Sequence, residues 1–220
     1  MNVPVSATGR ALCPACRLPE RSCICSWAVP VLHRAEVLVL QHPLEAGNAK
    51  NSVRLLRACL AGPGCHVEIG ESFAPQALEA LLHGPLPGMG SVLGRQPVLL
   101  YPELPGQPAV AERPMLPSRA DMLRLVVLDG TWRKSRRMFD ANRALAILPR
   151  LALADPPPSR YRIRRARRPD QLSTLEAVCH ALARLENREG AYQPLLEAFD
   201  GFIGQRLAFM PKEGDDRSSG

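Results

Sequence analysis

The chain has 220 residues, a net charge of +7 and a sequence pI of about 9.4. This length is enough for one sizeable core with a small additional module. No apolar run is long enough to cross a bilayer and residues 1–10 contain no apolar signal region, so we expect a cytoplasmic protein without a membrane anchor.

The composition and periodicity of the sequence change twice along the chain. Residues 1–30 contain four cysteines and little periodicity, and we predict a separate cysteine-rich module there. Residues 31–211 show alternating strand and helix patterns and are predicted to form the main domain. Residues 212–220 are polar, and we expect them to be a disordered tail.

Within the main domain, apolar periodicity predicts strands that alternate with helices. Strands are predicted at residues 36–40, 66–69, 97–101 and 123–128, and helices at residues 51–61, 75–83, 132–145, 173–188 and 193–209. Loops rich in Pro, Gly or Arg are expected at residues 84–97, 102–119 and 155–170. This alternation predicts an α/β fold with a mostly parallel sheet and helices on both faces.

A polar cluster follows the most apolar of these strands. After residues 123–128 come Asp129, Gly130, Thr131 and Trp132. Ligands in open α/β sheets bind outside the carboxyl ends of the strands, so the sequence predicts a site here. Helix capping would explain Thr131 alone. Capping does not call for a tryptophan next to a carboxylate and a glycine.

Two further polar groups stand beside predicted strands and helices. His42 and Glu45 follow Gln41 at the end of the first strand, where they either transfer protons or hydrogen-bond the loop backbone; we favour the structural role. Ser173 and Glu176 fit the S-x-x-E capping box. The free amides of a helix N-terminus also bind carboxylates, so capping and ligand binding are compatible there.

Ten of the 28 basic residues are concentrated in two clusters that flank these motifs. The first cluster is Arg133, Lys134, Arg136 and Arg137, and the second is Arg160, Arg162, Arg164, Arg165, Arg167 and Arg168. Two solvated faces would be the alternative explanation. Their position beside the predicted site favours contact with nucleic-acid phosphates.

The four cysteines of the first 30 residues have the spacing C-x2-C-x6-C-x-C and are Cys13, Cys16, Cys23 and Cys25. Four converging thiolates are typical of a structural zinc site. Disulfides and unligated thiols are the alternatives, but seven cysteines without a signal peptide argue against an oxidising compartment. His33 could replace one ligand, although a lone histidine is more often structural. No Walker motif, G-x-G-x-x-G or G-x-S-x-G is present.

In their order and spacing, these motifs resemble the DTW-domain family, the tRNA-uridine aminocarboxypropyltransferases of bacterial type. The resemblance covers residues 13–208, and the family often has Thr where Ser52 stands, which keeps a hydroxyl. The matching segments are the cysteine pattern, Gln41–Glu45, Asn51–Leu56, Leu99–Pro102, the Asp-x-Thr-Trp motif Asp129–Trp132, and Leu172–Ala177.

The resemblance implies a SPOUT-like fold with a knotted S-adenosylmethionine site, which the residue patterns alone would not predict. It also implies transfer of the 3-amino-3-carboxypropyl group to N3 of a uridine in tRNA, in the variable loop for bacterial members of this size, with release of methylthioadenosine. Two alternatives remain open: a SPOUT-like methyltransferase that uses the same donor, and a non-catalytic zinc-containing RNA-binding protein.

The resemblance further implies roles for individual residues. Asp129 would be the general base that accepts the N3 proton. Ser173 and Thr174, with the amides beneath them, would hold the donor carboxylate, and Trp132 would stack on adenine or the target base, or pack against the sheet. The two basic clusters would bind tRNA phosphates. The implied donor-binding residues are Leu100, Tyr101, Pro102, Leu128, Gly130, Thr131, Trp132, Leu172, Ser173, Thr174 and Glu176.

Overall fold

The computed structural model describes residues 11–48, 51–88, 94–103, 119–153, 158–159 and 172–208. The strands are β1 (Val31–Leu32), β2 (Glu36–Gln41), β3 (Leu60–Ala61), β4 (Cys65–Ile69), β5 (Gln96–Leu100), β6 (Leu123–Asp129) and β7 (Arg150–Leu151). The helices are α1 (Pro43–Ala46), α2 (Val53–Cys59), α3 (Pro75–His83), α4 (Trp132–Ala141), α5 (Arg143–Ala146), α6 (Thr174–Leu185) and α7 (Gln193–Ala208).

The main sheet has the strand order β4-β2-β6-β5-β7, and all its strand pairs are parallel. Every residue of β2 and of β6 is buried, as expected for central strands covered on both faces. A second, two-stranded parallel sheet joins β1 to β3. Because β6 lies between β2 and β5, the carboxyl ends of three strands that carry the sequence motifs meet at one edge.

Alternate residues of the central strands pack into two separate clusters. Val37 and Val39 of β2 belong to a core that includes residues of α2, α6 and α7. Leu38 and Leu40 belong to a second core with residues of α3, α4 and α5. The predicted mostly parallel sheet with helices on both faces is therefore confirmed.

A buried ion pair joins β2 to β6 at the edge opposite the polar motifs. Arg124 and Glu36 are register partners, and the guanidinium Nε donates to the Glu36 carboxylate at 2.8 Å. The same guanidinium also donates to the backbone carbonyls of Leu81 and Gly84 at 2.6 and 2.8 Å. A one-residue slip between β2 and β6 would separate Arg124 from Glu36, so the pair helps to fix the register at the other end of both strands.

The cysteine-rich segment packs against α7. Leu18 and Ile24 are buried in the first core cluster, and Trp27 Nε1 donates to Gln205 Oε1 at 2.9 Å. Gln205 Nε2 also donates to the carbonyl of Cys23 at 3.3 Å. The segment thus shares its apolar surface with the main domain; the predicted boundary at residue 30 stays a prediction.

One predicted helix is interrupted. The pattern indicates a single helix over residues 132–145, but the structure ends α4 at Ala141 and starts α5 at Arg143. The cause is Asn142, whose amide donates to the carbonyls of Glu71 and Met138 at 2.9 and 2.6 Å. These bonds tie the break to the loop that follows β4.

The predicted loop at residues 102–119, the arginine cluster 160–168 and the tail lie largely or wholly outside the described residues. No helix in the described part of the chain is both long and apolar enough to span a membrane.

Candidate active site

The Asp129 carboxylate stands at the end of β6 and is held by three donors from three separate segments of the chain. Gln41 Nε2 donates to Oδ2 at 2.8 Å, Asn51 Nδ2 donates to Oδ2 at 3.1 Å, and Thr174 Oγ1 donates to Oδ1 at 2.6 Å. Asp129 is 7% exposed. A carboxylate accepts about four hydrogen bonds. Within the described chain, Asp129 is therefore fixed in orientation while keeping one acceptor position for a ligand.

Two of these donors were not predicted as site residues. Gln41 is the register partner of Asp129 on β2, so the parallel pairing brings the two side chains together. Asn51 accepts from the backbone N–H of Val53 at 2.7 Å at the start of α2, and its amide is then free to reach both Asp129 and the carbonyl of Glu45. The available signals were the primary amides of Gln41, at the end of a predicted strand, and of Asn51, at the start of a predicted helix. Such groups can donate and accept hydrogen bonds at the same time, so they can orient a carboxylate.

Gly130 and Thr131 set the start of α4. A Cβ at residue 130 would lie 3.0 Å from Lys134 Cβ, so glycine allows the first turn of the helix to approach the strand end. Thr131 caps the helix by accepting from the N–H of Lys134, at a long 3.4 Å. The predicted cap is thus present. It lies next to the Asp129 carboxylate, so capping by Thr131 and a site at this strand end are compatible.

The predicted capping box at the start of α6 is also present. Ser173 Oγ accepts from the N–H of Glu176 at 3.2 Å, and the Glu176 carboxylate accepts from the N–H of Ser173 at 2.7 Å. Thr174 directs its hydroxyl to Asp129 instead. Both hydroxyls predicted to bind the donor are therefore engaged within the protein, and their role toward a ligand stays a prediction.

Trp132 is the end of an aromatic stack. Its ring lies 5.6 Å from that of Tyr101 with an interplanar angle of 18°, and Tyr101 lies 4.9 Å from Phe139. Tyr101 is buried, which raises the pKa of its phenol, and the hydroxyl has no hydrogen-bond partner among the described residues. Trp132 is 54% exposed, so one ring face remains open to a planar ligand.

The structure brings the segments predicted to bind the donor to the same edge of the sheet. Tyr101 follows β5, Leu128 is buried near the end of β6, and Ser173 starts α6. Leu100 and Leu172 are partly buried, whereas Pro102 is exposed.

His42 and Glu45 both make contacts that order the loop after β2. His42 Nδ1 accepts from the N–H of Leu44 at 3.1 Å and caps α1, and its Nε2 lies 3.3 Å from the Glu71 carboxylate. Glu45 Oε1 accepts from Lys134 Nζ at 2.8 Å. Only the His42–Leu44 bond is the backbone contact expected for a structural role, and the choice between that role and proton transfer stays a prediction.

The four cations of α4 have different surroundings. Lys134 pairs with Glu45, Arg137 with Glu71 at 2.9 Å, and Arg136 with Asp140 on its own helix at 2.9 Å. Arg133 is exposed and has no ion pair within the described residues. An open cavity of about 330 Å³ lies beside the first turns of the helix, lined by His42, Glu71, Thr131, Arg133, Lys134 and Arg137.

A larger cavity, of about 490 Å³, lies elsewhere on the protein. Arg34, Arg119, Asp121 and Glu186 line it together with neighbouring residues. Arg34 precedes β2 and Asp121 precedes β6, so this cavity is at the amino-terminal edge of the sheet. It is away from Asp129 and from every strand-end motif.

The four cysteine sulfurs lie within 4.8 Å of one another and could hold a metal ion. The separations are 3.7 Å from Cys13 to Cys25 and 3.8 Å from Cys16 to Cys23. A tetrahedron with zinc–sulfur bonds of about 2.3 Å has sulfur–sulfur edges of about 3.8 Å. These separations are far longer than a disulfide bond, so the disulfide alternative is not supported.

The acidity of the thiols also fits a cation site. Hydrogen bonds from the backbone amides of Cys16 and Ala15 lower the pKa of Cys13 to about 6. Contacts with Cys23 and Cys13 raise the pKa of Cys25 to about 12. One thiolate forms easily, and its negative charge opposes the formation of further thiolates. A bound dication would offset this repulsion.

His33, the alternative ligand, lies outside this cluster. Its Nδ1 contacts the carbonyl of Ala35 at 2.7 Å and its Nε2 accepts from the N–H of Gly64 at 3.3 Å. Its role in the described structure is therefore to join the segment before β2 to the turn before β4.

Three curated proteins of one name are similar to this chain in sequence. The chain is 28% identical to tRNA-uridine aminocarboxypropyltransferase 2 of Macaca fascicularis over 213 residues, which cover 94% of this chain and 67% of that protein. It is 27% identical to the protein of that name from Mus musculus over 212 residues, with the same coverage. The Drosophila melanogaster protein of that name is 29% identical over 194 residues, covering 85% of this chain and 71% of its own length.

No solved structure matches the chain significantly. The DTW domain matches residues 10–207, which is nearly the whole sequence and includes the cysteine cluster, the Asp129 site and both C-terminal helices. The chain therefore belongs to the DTW-domain family.

Proposed function

We propose that this protein is a tRNA-uridine aminocarboxypropyltransferase. It transfers the 3-amino-3-carboxypropyl group of S-adenosylmethionine to N3 of a uridine in the variable loop of tRNA. The products are 3-(3-amino-3-carboxypropyl)uridine and methylthioadenosine. Family membership and the names of the relatives support the reaction class. The structural observation on which the proposal rests is the buried Asp129 carboxylate, oriented by three donors where the matched motifs meet.

The proposed chemistry needs one proton acceptor and the alignment of the attacking nitrogen with the carbon–sulfur bond that breaks. Uracil N3 carries a proton, and Asp129 accepts it as general base. The N3 electron pair then forms a bond to the carbon of the aminocarboxypropyl chain that is attached to sulfur. The carbon–sulfur bond breaks and its electrons stay on sulfur, so the sulfonium becomes the neutral thioether of methylthioadenosine. The protein aligns N3, carbon and sulfur, and the proton on Asp129 passes to water.

The donor site is proposed at the carboxyl edge of β5 and β6. Residues 100–102, 128–132 and 172–174 would surround S-adenosylmethionine there, in a SPOUT-like knot. The placement of β6 between the earlier strands β2 and β5 supports this assignment. Trp132 offers an open aromatic face to adenine or to the target base.

The remaining motifs are proposed to serve RNA docking and stability. The Arg133–Arg137 cluster and the arginines of residues 160–168 would contact tRNA phosphates without reading sequence. Cys13, Cys16, Cys23 and Cys25 would hold one structural zinc ion, whose closed four-thiolate shell leaves no position for a substrate. Zinc would thus fix the N-terminal segment against α7.

Two separately labelled donors test this proposal against its alternatives. Purified protein is incubated with tRNA and with S-adenosylmethionine labelled either in the methyl group or in the aminobutyryl carbons. The proposal predicts that only the second label enters tRNA, with release of methylthioadenosine. Incorporation of the methyl label would show a methyltransferase, and incorporation of neither label would favour a non-catalytic RNA-binding protein.

A further inference from the structure

The cavity beside α4 opens at the carboxyl edge of the sheet and is lined by charges of both signs. Its walls include Glu71, Arg133 and Arg137, with Lys134 and His42 alongside. Its Thr131 wall is two residues from Asp129 in the chain. The N–H of His42 donates to the Asp129 carbonyl at 2.9 Å. A ligand in this cavity would therefore lie at the carboxyl edge of the sheet, beside the backbone of Asp129.

The acidic wall is held in place by two donors. The Glu71 carboxylate accepts from Arg137 at 2.9 Å and lies 3.3 Å from His42 Nε2. His42 Nδ1 accepts from the N–H of Leu44, so the ring proton belongs on Nε2 and points to Glu71. The Glu71 side chain remains 35% exposed. Two of about four acceptor positions are used, so the carboxylate can still bind a cation.

The basic wall has spare donors. Arg133 is exposed and has no ion pair in the described part of the chain. Arg137 is 64% exposed and gives only part of its guanidinium to Glu71. Planar guanidinium groups bind carboxylates in a bidentate manner. A phosphate would also suit the arginines, but it would be repelled by the carboxylate on the facing wall.

We propose that this cavity binds the amino-acid end of S-adenosylmethionine. Glu71 pairs with the ammonium group, and Arg133 and Arg137 bind the carboxylate rather than tRNA phosphates, so that contact with RNA is left to the other basic residues of the two clusters. The inference rests on the proposed function, because it assigns one end of the proposed donor. In the donor, few bonds separate the transferred carbon from the charged groups, so their pocket must lie at the edge of the sheet that carries Asp129, as this cavity does.

The assignment differs from the one that the capping motif suggested. Ser173 Oγ already accepts from the N–H of Glu176, and Thr174 Oγ1 already donates to Asp129. Thr174 gives its proton to Asp129 and cannot also donate to a ligand carboxylate, which leaves only the Ser173 hydroxyl as a side-chain donor at this position. The charged cavity offers both signs of charge, whereas the start of α6 offers only partial positive charge.

Comparison of two ligands isolates this contact. S-adenosylmethionine carries the amino-acid end and methylthioadenosine lacks it, so calorimetry of both against each variant measures the cavity alone. We expect Glu71→Gln and Arg133→Gln each to weaken S-adenosylmethionine binding by about tenfold and to leave methylthioadenosine binding unchanged. Matched controls are Glu79→Gln and Arg143→Gln, which are exposed residues outside the cavity; both affinities should stay at the wild-type values.

The outcomes separate this inference from the proposed function. Retained methylthioadenosine binding shows that a variant is folded, and Arg133 has no ion pair with any described residue that its replacement would break. If both cavity variants keep the wild-type ratio of S-adenosylmethionine affinity to methylthioadenosine affinity, the inference is overturned. This holds also when the variants bind tRNA more weakly. If Ser173→Ala instead weakens S-adenosylmethionine binding and leaves methylthioadenosine binding unchanged, the donor carboxylate is bound at the start of α6. If the wild-type protein binds neither ligand, the proposed function itself fails.

Discussion

Thr174 Oγ1 donates to Asp129 Oδ1 at 2.6 Å, although 45 residues separate the two positions in the chain. The bond joins the first turn of α6 to the end of β6. The hydroxyl therefore orients the carboxylate, and it comes from the segment of the capping box, which no local pattern links to the Asp-x-Thr-Trp motif. Any role of Asp129 in proton removal depends on this contact as well as on the amides of Gln41 and Asn51.

Replacement of Asp129 by Asn should abolish turnover without disturbing the fold. The Asn oxygen can accept from Gln41 and Asn51, and its amide can donate to Thr174, because a threonine hydroxyl both donates and accepts. Basicity is lost while shape is kept. We expect a melting temperature close to that of the wild type and unchanged S-adenosylmethionine affinity. The single-turnover rate should fall by about 10²-fold or more.

A near-normal single-turnover rate in Asp129→Asn would rule out the base assignment. Loss of donor binding would instead make Asp129 a ligand of the donor ammonium group. Thr174→Ser, which keeps the hydroxyl, serves as the matched control and should retain activity.

The course of the main strands could be predicted because buried parallel strands have a distinctive composition. The apolar runs at residues 36–40 and 123–128 locate β2 and β6 to within one residue at each end. The strands β1, β3 and β7 have two residues each, which is too short for a periodic pattern. The break at Asn142 depends on carbonyl groups in a distant loop, and no local pattern reveals that partner.

The site was predictable in part for the same reason. Asp129 follows an obvious strand, so its position at the carboxyl edge is a consequence of the topology. The participation of Gln41 and Asn51 depends on which strand lies beside β6, and that order is not encoded in local periodicity. Glu71 follows a short, partly exposed strand and has no motif around it, so only the packing of α4 brings it to the cavity.

Gly201 should be essential for the packing of the cysteine-rich segment. A Cβ at this position would overlap the Trp27 ring, so Gly201→Ala must displace that ring from α7. We expect a loss of about 1–3 kcal/mol in the free energy of unfolding, measured by denaturant titration. Gly204→Ala on the same helix is the control. Nothing lies within 4 Å of its added Cβ, and alanine favours the helix by about 0.5–1 kcal/mol. Equal effects of the two substitutions would contradict the described packing.

Metal removal should release Trp27 from its contacts. Gln205 bonds both to Trp27 and to the carbonyl of Cys23, so loss of the cysteine geometry disturbs the indole. In a Trp132→Phe background, chelation or Cys23→Ser should shift the Trp27 emission to the red, and elemental analysis should show about one zinc per chain in the unmodified protein. Cys179→Ala, which changes a buried cysteine outside the cluster, should keep its zinc. Zinc well below one per chain in freshly purified protein would refute the metal assignment.

His33 should make the protein less stable in mild acid. Burial lowers the pKa of His33 below its ordinary value of 6.5, because the buried ring disfavours charge. Above pH 6.5 the histidine is neutral in both states and its full contribution is present. As the pH falls further, the unfolded chain takes up the proton first, so stability is lost until the lowered folded pKa is passed.

The measurement is the free energy of unfolding at about pH 7.5 and about pH 5.5. His33→Gln should lower stability at the higher pH and reduce the difference between the two values. His83→Gln, which changes an exposed histidine, should leave that difference intact. An unchanged difference in His33→Gln would show that other groups cause the acid sensitivity.

The most direct test of the central claim is the identity of the modified nucleoside. Unmodified tRNA is incubated with the purified protein and S-adenosylmethionine, digested to nucleosides and analysed by mass spectrometry. We predict a uridine whose mass has increased by that of the aminocarboxypropyl group. Because N3 no longer carries a proton, the nucleoside should also lack the ultraviolet change that uridine shows in alkali. A uridine heavier by a methyl group, a modified base other than uridine, or a product that still ionises in alkali would contradict transfer of the aminocarboxypropyl group to uridine N3.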